Sequence, residues 1–382
     1  MCALALPERG RSDKAAMAGL IYGINEIRRY AAHYTKVKDI FKGFNDPDCR
    51  TNGGRAKPAV SRLVDYLYLF FVMGMQTTNY HLFRFDTMDR KRFKEYMDDP
   101  NAPLLRPKLW STLWKKSTFI LVHDKYLFHC LCEYHGLPCP RCYGVVRRNA
   151  LPEAKAFLKD LMQKNGMETF VLKPVWGLMG KGIHFISLSD VDALERLIEH
   201  DDVDDEYSDY LIQERIRQHP ELERMNPHSV NSIRIVTFLV PEGRVEFIAA
   251  MLRTSSSASP VDNFSAGGMV AGIDLDTGAL KKEGVIKTPK IRVLTRHPVT
   301  GTELMGFRVP YWEEIKETAA RGQKTFHYIK SIGWDFAVTP EGPVIIEANQ
   351  EWGTAGLQAA NGGLLTEKNR KLFARYGLKF YE

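Results

Sequence analysis

Long hydrophobic runs are missing from this sequence of 382 residues. The longest one, residues 66–75, falls well short of the roughly 18 apolar residues that a membrane-spanning helix needs. We expect no secretory signal either, because charged residues follow the short apolar patch at residues 3–7 at once. The hydrophobic share of 44% and the charged share of 26% exclude a disordered or fibrous chain. We therefore expect a cytoplasmic protein with two to three domains or one elaborated enzyme core.

Cysteine is scarce, and six cysteines in a chain of this length do not suggest a disulfide scaffold. Four of them cluster at Cys130, Cys132, Cys139 and Cys142. The two-residue gap between Cys139 and Cys142 is typical of a zinc knuckle. Cys130 and Cys132, however, fall inside a helical pattern, where two residues apart means opposite faces. We expect buried or unreactive thiols here rather than a zinc site.

The net charge of +7 is distributed unevenly. Residues 1–150 carry 25 Lys and Arg against 14 Asp and Glu, whereas residues 151–382 carry 28 against 32. A basic first part is typical of proteins that bind nucleic acid, an anionic membrane surface or an anionic substrate. It is equally typical of a solvated helical surface.

The residue pattern predicts an α+β protein with a helical, basic N-terminal region. Residues 1–45 and 59–75 have helical spacing, and residues 46–58 form a loop with Gly and Pro. Further helices are expected at residues 126–134, 153–165 and 191–200. The expected strands span residues 169–173, 182–187, 210–213, 232–240, 244–253, 270–275, 335–338 and 344–348.

Three oxygen-bearing side chains occur on the last two expected strands. Asp335 and Glu347 are twelve residues apart on two strands that a short turn joins, so a hairpin can bring them to one face. Glu347 and Asn349 are two residues apart on a strand and share a face as well. Carboxylates in an apolar strand need partners, and three oxygen ligands suit Mg²⁺. The alternative is a solvated hairpin.

A lysine at the end of an apolar strand, Lys173, is followed by a glycine-rich loop with Gly177, Gly180, Lys181 and Gly182. Glycines let backbone amides approach anionic oxygens, so this arrangement is typical of phosphate binding. It is neither a Walker loop nor a dinucleotide fingerprint. An ordinary hairpin turn would have the same composition.

A third segment ends the strand at residues 210–213 with polar groups. Gln213 and Glu214, with the backbone of Arg215 and Ile216, could bind the amino group of an adenine. The alternative is an edge strand with solvated ends.

The order of these three segments resembles that of the ATP-grasp superfamily over residues 116–360. His123, Asp124 and Lys125 resemble the first phosphate lysine of that superfamily and its helix. Residues 83–85, 230–234, 261–268 and 297–298 are similar to the subgroup found beside sugar-transfer and capsular polysaccharide genes. The resemblance implies three parts: a helical, substrate-binding region at residues 1–115, a small subdomain with a mobile flap at 116–205, and a C-terminal subdomain with the magnesium site at 206–382.

The resemblance also implies a role for each matching residue. The ATP site would comprise Lys125, Lys173, Gly177, Gly180, Lys181, Gly182, Gln213, Glu214, Arg215, Ile216, Asp262 and Asn263, with Glu221 or Glu223 on the ribose. Two Mg²⁺ ions would bind Asp335, Glu347 and Asn349. Many members of the superfamily have an arginine just before the first metal aspartate, but residues 331–334 include none. The contact to the transferred phosphoryl group is therefore expected from Arg234, Arg253 or Lys330.

These expectations describe an ATP-dependent carboxylate–amine ligase that forms an amide through an acyl phosphate. The acid or amine would be a sugar acid or amino acid of a surface glycan, as in polysaccharide biosynthesis, or a related small metabolite. One alternative is a kinase that phosphorylates a small-molecule hydroxyl. Another is a non-catalytic protein that binds nucleic acid or a membrane surface through its basic helices, although three oxygen ligands on one face argue against it.

Overall fold

A computed structural model of the chain describes residues 30–41, 56–99, 112–177, 182–198, 209–260 and 262–381, together with the single residues 28, 44, 102, 104, 105, 109 and 201. The predicted helical region at residues 1–45 therefore lies mostly outside the described residues. Its described part is helical at residues 30–34 and continues as a 3₁₀-helix at Thr35–Asp39.

Two antiparallel sheets form the framework of the protein. The larger sheet has seven strands in the order β11-β10-β5-β6-β7-β8-β9, and the smaller has four in the order β1-β4-β2-β3. The strands of the smaller sheet are β1 (Cys142–Arg147), β2 (Thr169–Pro174), β3 (His184–Ser187) and β4 (Asp209–Glu214). Those of the larger sheet are β5 (Ser232–Leu239), β6 (Val245–Thr254), β7 (Met269–Ile273), β8 (Leu280–Ile286), β9 (Arg292–Leu294), β10 (Ser331–Thr339) and β11 (Gly342–Asn349).

Helices cover both sheets. They are α1 (Ala59–Leu67), α2 (Ile120–His123), α3 (Lys125–Tyr134), α4 (Leu151–Lys164), α5 (Leu194–Ile198), α6 (Pro220–Met225), α7 (Trp312–Thr325), α8 (Thr354–Asn361) and α9 (Glu367–Ala374). Helix α7 packs tightly on the larger sheet, because a Cβ at Gly322 would lie only 2.7 Å from the Trp334 ring. Within the described ranges, no helix is long and apolar enough to cross a membrane.

The predicted α+β class with a helical N-terminal region is confirmed, and so are the expected strands to within a few residues. The helix expected at residues 59–75 ends earlier: α1 stops at Leu67 and a π-helix, Tyr68–Val72, follows. Strand β4 pairs with β1 and β2, so it belongs to the smaller sheet although it follows the expected boundary at residue 205. The division into three parts stays a prediction.

The N-terminal region and the larger sheet share one hydrophobic core, which includes Tyr66, Phe85, Trp114, Ile235 and Trp334. The smaller sheet has a core of its own beneath α4 and α5. These two bodies meet near the connection from α3 to β1, where the Ile345 amide donates to the Pro138 carbonyl at 2.8 Å. The predicted site residues lie on the larger sheet, on the smaller sheet and at the start of α3.

Candidate functional site

The hairpin of β10 and β11 brings the three predicted oxygen ligands together. Asp335 lies directly opposite Glu347 in the antiparallel register, and Gly333 lies opposite Asn349. Asn349 Nδ2 donates to Glu347 Oε1 at 3.1 Å and is 3.4 Å from Asp335 Oδ2. The three side chains therefore occupy one face of the sheet.

Two arginines from the neighbouring strands hold Asp335. Arg234 on β5, opposite Asp335, donates from Nε to Oδ1 at 2.7 Å and from Nη2 to Oδ2 at 2.5 Å. Arg253 on β6 donates from Nη1 to Asp335 Oδ2 at 2.8 Å. Burial alone would raise the pKa of Asp335, but Arg234 and Arg253 outweigh it and lower the pKa to about 2. Asp335 is therefore a permanent negative charge of the site.

Asp262 extends this network to the loop before β7. It accepts a hydrogen bond from the Ser232 hydroxyl, and its Oδ1 accepts one from Arg253 Nη2 at 3.2 Å. Asn263 Oδ1 accepts the Ser265 amide at 2.9 Å and caps a short 3₁₀-helix. The loop fits tightly, since a Cβ on Gly268 would lie 2.8 Å from the Asn263 carbonyl oxygen. This packing explains the glycine and fixes Asp262 beside the arginines.

Two lysines add positive charge near the carboxylates, namely the buried Lys173 and the half-buried Lys125. Lys173, at the end of β2, is 6% exposed, and burial and the neighbouring Lys125 lower its pKa to about 8. Burial also lowers the pKa of Lys125, the first residue of α3, while Glu347 acts against both shifts. Glu347 thus attracts both lysines, Lys173 from the end of β2 in the smaller sheet and Lys125 from the start of α3. Burial and the Asp335 charge raise the pKa of Glu347 itself.

The residues between β2 and the predicted flap are hydrogen-bonded to the start of α3. Lys125 Nζ donates to the Gly177 carbonyl at 2.8 Å, and the Lys125 amide donates to the Val175 carbonyl at 3.2 Å. Asp124 caps α3 by accepting the Leu127 amide at 2.8 Å, and its other oxygen accepts the Trp176 indole N–H at 3.2 Å. The flap thus starts at a fixed point next to the lysine.

The second end of the flap is also fixed. Gly182 has a φ of +68°, and a Cβ there would lie 2.8 Å from Pro174. Asp201 accepts the Tyr210 hydroxyl at 2.6 Å and pairs with His184 Nε2 at 2.9 Å. The predicted Gly180 and Lys181 lie outside the described residues.

The adenine candidates are close to the connection between the bodies, but their side chains already have protein partners. Gln213 Nε2 donates to the Pro140 carbonyl at 3.2 Å. Glu214 Oε1 accepts the Arg141 amide at 2.8 Å, and the Glu214 amide donates to the Arg141 carbonyl at 2.9 Å. The Arg215 guanidinium lies over the Phe185 ring, and Ile216 is half-buried. The structure therefore gives Gln213 and Glu214 a part in holding β1 and β4 together.

Three other predicted residues are not brought to the carboxylates. Glu221 pairs with Arg224 at 2.8 Å on the exposed helix α6 and lines an open groove of about 750 Å³, and Glu223 is exposed on the same helix. Lys330 donates to the His327 carbonyl at 2.8 Å. It precedes Asp335 by five strand residues, roughly 16 Å of extended chain.

The four clustered cysteines are free thiols. Cys139 Sγ approaches His129 Nδ1 at 3.4 Å. Among the described residues, no group of three or more His, Cys, Asp and Glu is arranged to hold a metal ion. The expectation of buried or unreactive thiols agrees with burial, which raises the pKa of Cys132 and raises that of Cys139 to about 11.

Two residues that shape this site, Asp124 and Ser232, have no role in the expectations from the sequence, and the hydrogen bond of Trp176 is not among those expectations either. Asp124 and Trp176 join the lysine to the flap, and Ser232 holds Asp262. Asp124 carries a recognisable signal, because an Asp before a helical run is a typical N-cap. The pairings of Trp176 and Ser232 depend on contacts between distant segments and leave no local pattern.

A family model described as sugar-transfer associated ATP-grasp matches residues 105–372 of the chain. No curated protein matches the sequence. Among solved structures, the D-cycloserine synthetase DcsG is 15% identical to this chain with a TM-score of 0.41. The match covers 64% of this chain and 67% of the DcsG chain. The ATP-grasp ligase PsnB, complexed with minimal precursor, Mg and ADP, is 15% identical with a TM-score of 0.42, and the match covers 72% of this chain and 67% of the PsnB chain. The D-alanine-D-alanine ligase from Coxiella burnetii is 14% identical with a TM-score of 0.36, over 68% and 54%.

Proposed function

Because this chain belongs to the sugar-transfer associated ATP-grasp family, we propose that it is an ATP-dependent ligase that joins a carboxylate to an amine. The substrate carboxylate attacks the γ-phosphoryl group of ATP, and ADP leaves. The amine nitrogen then attacks the acyl carbon of the resulting acyl phosphate, phosphate leaves, and an amide forms. No nucleophile of the enzyme is needed for either step.

The proposal rests on one observation: carboxylates and cations of opposite elements converge at the β10–β11 hairpin. Asp335, Glu347 and Asp262 supply three negative charges. Four cationic side chains surround them, namely Arg234, Arg253, Lys125 and Lys173. Such a concentration of partly buried cations suits a triphosphate, since phosphoryl transfer depends on positioning and on charge stabilisation.

The donor set fits Mg²⁺ with ATP. Two carboxylates and a carboxamide on one face are the hard oxygen ligands that Mg²⁺ accepts, and the ion takes its remaining ligands from water and phosphate. Asp335, Glu347 and Asn349 would hold the metal, and the bound metal would offset charge on the phosphate oxygens. Glu347 is the more accessible carboxylate, with 37% of its side chain exposed against 3% for Asp335.

The remaining residues would position ATP and exclude water. Lys125 at the start of α3 and Lys173 on the smaller sheet would hold the phosphates. Arg234 and Arg253 would face the oxygens of the transferred phosphoryl group. Closure of the flap between Gly177 and Gly182 would keep water from the acyl phosphate. In the described state Lys125 Nζ is bonded to the Gly177 carbonyl, so phosphate binding would exchange that partner.

The acid and the amine are proposed by class. The family description associates the chain with sugar transfer, which favours a sugar acid or an amino acid that is attached to a surface glycan. The basic N-terminal region is consistent with an anionic substrate.

The test is ADP release in the presence of Mg²⁺ across a panel of sugar acids and amino acids, each offered with and without amines. We expect turnover that requires both a carboxylate and an amine. Glu347→Gln should lose at least ~100-fold in turnover, because it removes a negative charge from the metal site. Full activity of Glu347→Gln would contradict the metal assignment.

The same panel separates the alternatives. ADP release with a hydroxyl compound and no amine, together with a phosphorylated product, would identify a kinase instead. Salt-dependent polynucleotide binding without any turnover of ATP would identify a non-catalytic binding protein.

A further inference from the structure

Helix α1 exposes its aliphatic residues. Val60, Leu63, Val64 and Leu67 are 74%, 39%, 43% and 38% exposed, and Phe71 in the following π-helix is 49% exposed. Their spacing of three to four residues places them along one side of the helix. A helix that faced only water would carry polar residues on this side.

The inner side of the same helix is more polar than the outer one. Arg62 and Asp65 are buried, with 6% and 0% exposure. Asp65 is neutralised there, because it pairs with Lys57 at 2.6 Å and with Arg90 at 2.7 Å, and it accepts the Tyr80 hydroxyl at 2.9 Å. Helix α1 therefore buries charged groups beside Tyr66 at a cost of desolvation and leaves its aliphatic residues outside. This arrangement, with charges inside and aliphatic residues outside, is the reverse of the usual one. It indicates that the outer side of α1 contacts something other than water.

A second helical segment continues this exposed surface. Tyr30, Tyr34, Val37 and Phe41 repeat a spacing of four, three and four residues, and they are 50%, 43%, 49% and 46% exposed. The Tyr34 ring stacks on the Phe71 ring with centroids 6.1 Å apart, so the two segments lie side by side. We call the combined surface of these residues and the outer side of α1 the outer apolar face.

The charges around this face are basic. The sequence of residues 27–75 includes nine Lys and Arg against four Asp and Glu. Of these, Lys57 and the buried Asp65 offset each other, and Arg62 is buried. Arg28 and Lys36 are exposed on the second segment itself. A second copy of this chain would be a poor occupant, because a twofold contact would bring the same basic surface against itself. An anionic phospholipid bilayer is complementary to both features, since its headgroups attract Lys and Arg and its interface accepts aromatic and aliphatic side chains.

We propose that the outer apolar face binds the surface of an anionic phospholipid bilayer. Apolar side chains of α1 and of residues 30–41 insert at the headgroup boundary while Arg28 and Lys36 contact anionic headgroups. Binding is peripheral and reversible, and it needs neither ATP nor the carboxylate site, so it stands or falls independently of the proposed ligase activity.

The test is flotation of the full chain with vesicles of phosphatidylcholine alone or of phosphatidylcholine and phosphatidylglycerol in equal amounts. We expect binding to the anionic vesicles only, and weaker binding at 0.5 M NaCl than at 0.1 M. Phe71→Ser should weaken the binding about tenfold, because it removes one inserting ring. Phe157→Ser is the matched control, since Phe157 is a similarly exposed phenylalanine, 52% against 49%, on helix α4 of the other body.

Three results would overturn the proposal. The first is no binding of the unaltered chain to anionic vesicles. The second is equal binding of the Phe71→Ser and Phe157→Ser variants, which would assign the binding to another surface. The third is a dimer in analytical ultracentrifugation that Phe71→Ser dissociates, without vesicle binding, which would make a second copy the occupant. The circular dichroism spectrum of Phe71→Ser should match that of the unaltered chain, and Val64→Asp, with Val299→Asp as its control, repeats the comparison at a second position.

Discussion

Asp335 and Glu347 face each other across one hairpin, yet their electrostatic surroundings differ. Asp335 is 2% exposed and receives hydrogen bonds from both arginines, which lower its pKa to about 2. Glu347 is more accessible and only approaches Arg234, at 3.8 Å. Asp335 thus already has two arginine partners, whereas Glu347 is the freer of the two proposed metal ligands to accept a new partner.

Replacing Arg253 should show whether the transferred phosphoryl group is contacted by the arginines that bind Asp335 or by the remote Lys330. Arg253→Gln leaves Asp262 without its guanidinium partner and Asp335 with Arg234 alone. We expect ADP release to fall at least ~100-fold, since a preorganised cation of the phosphoryl site is lost. We also expect destabilisation of about 3 kcal/mol, the lower end for breaking a buried ion pair.

Lys330→Gln provides the control for that comparison, because Lys330 directly precedes β10 and its side chain donates to the nearby His327 carbonyl, away from the carboxylates. Steady-state ADP release and thermal unfolding of both variants test the predicted losses of activity and stability. A Lys330→Gln variant that loses as much activity as Arg253→Gln would place the phosphoryl contact elsewhere.

The carboxylate pair could be predicted from the sequence because its geometry is local. Asp335 and Glu347 belong to one hairpin, and its turn sets the register. The partners of Asp335 could only be given as a choice among basic residues, since Arg253 reaches it through the register of two further strands. Glu214 was assigned to adenine, and its bond to the Arg141 amide could not be foreseen because β1 was not recognised.

At the scale of elements, the sequence predicts a strand where apolar residues dominate. It does not predict a strand whose extended backbone depends on pairing with its neighbours. β5 and β6 are long apolar runs on either side of a glycine turn, and they were found nearly to the residue. β1 contains Gly144 with a φ of +143° at a shift of register, and β8 begins with exposed charged residues. Both owe their extended backbone to neighbouring strands, which is a tertiary effect.

The start of the flap depends on a contact between two elements, α3 and the end of β2. Trp176→Phe keeps an aromatic ring but removes the indole N–H that Asp124 accepts. We expect the KM for ATP to rise about three- to tenfold, because a hydrogen bond to a charged group is lost and the flap is less well positioned over the phosphates. The thermal stability should change little, since the Asp124 cap of α3 remains.

Steady-state kinetics with varied ATP test this prediction, with Trp176→Phe compared to Phe157→Leu. Phe157 is 52% exposed on helix α4, which packs on the same sheet, and it is not among the predicted ATP-site residues. An unchanged KM in Trp176→Phe, or an equal rise in both variants, would show that the indole bond does not position the flap.

At the scale of the whole molecule, the basic N-terminal region is built into the C-terminal part. The Gln358 side chain on α8 accepts the Met97 amide at 2.7 Å and donates to the Met97 carbonyl at 2.8 Å. Helix α8 follows the loop whose Trp352 carbonyl accepts a hydrogen bond from Arg234. The N-terminal region therefore supports the loop beside the carboxylate site, and its predicted role in substrate binding remains to be tested.

Asp98 lies at this junction and should make folding depend on pH. Its carboxylate accepts the Gln76 amide at 3.0 Å and the Asp99 amide at 2.8 Å, and its carbonyl accepts the Thr354 hydroxyl at 2.9 Å. Burial outweighs these amide bonds and raises the pKa of Asp98 to about 7, from an ordinary value of 3.8. Between pH 4 and pH 7 the folded chain thus binds more protons at this residue than the unfolded chain does.

The sign of the effect follows from proton linkage. The free energy of unfolding should fall as the pH rises from 4 to 7, by at most about 1.4 kcal/mol per pH unit from this residue, with no further change from it well above pH 7. Asp98→Asn cannot ionise, so the difference in unfolding free energy between variant and unaltered chain should shift in favour of the variant across that range. Urea unfolding at pH 4.5, 6 and 8 measures that difference, in which contributions common to both proteins cancel. A difference that stays constant from pH 4.5 to 8 would mean that Asp98 is already ionised in the folded chain, and that the backbone amides of Gln76 and Asp99 outweigh its burial.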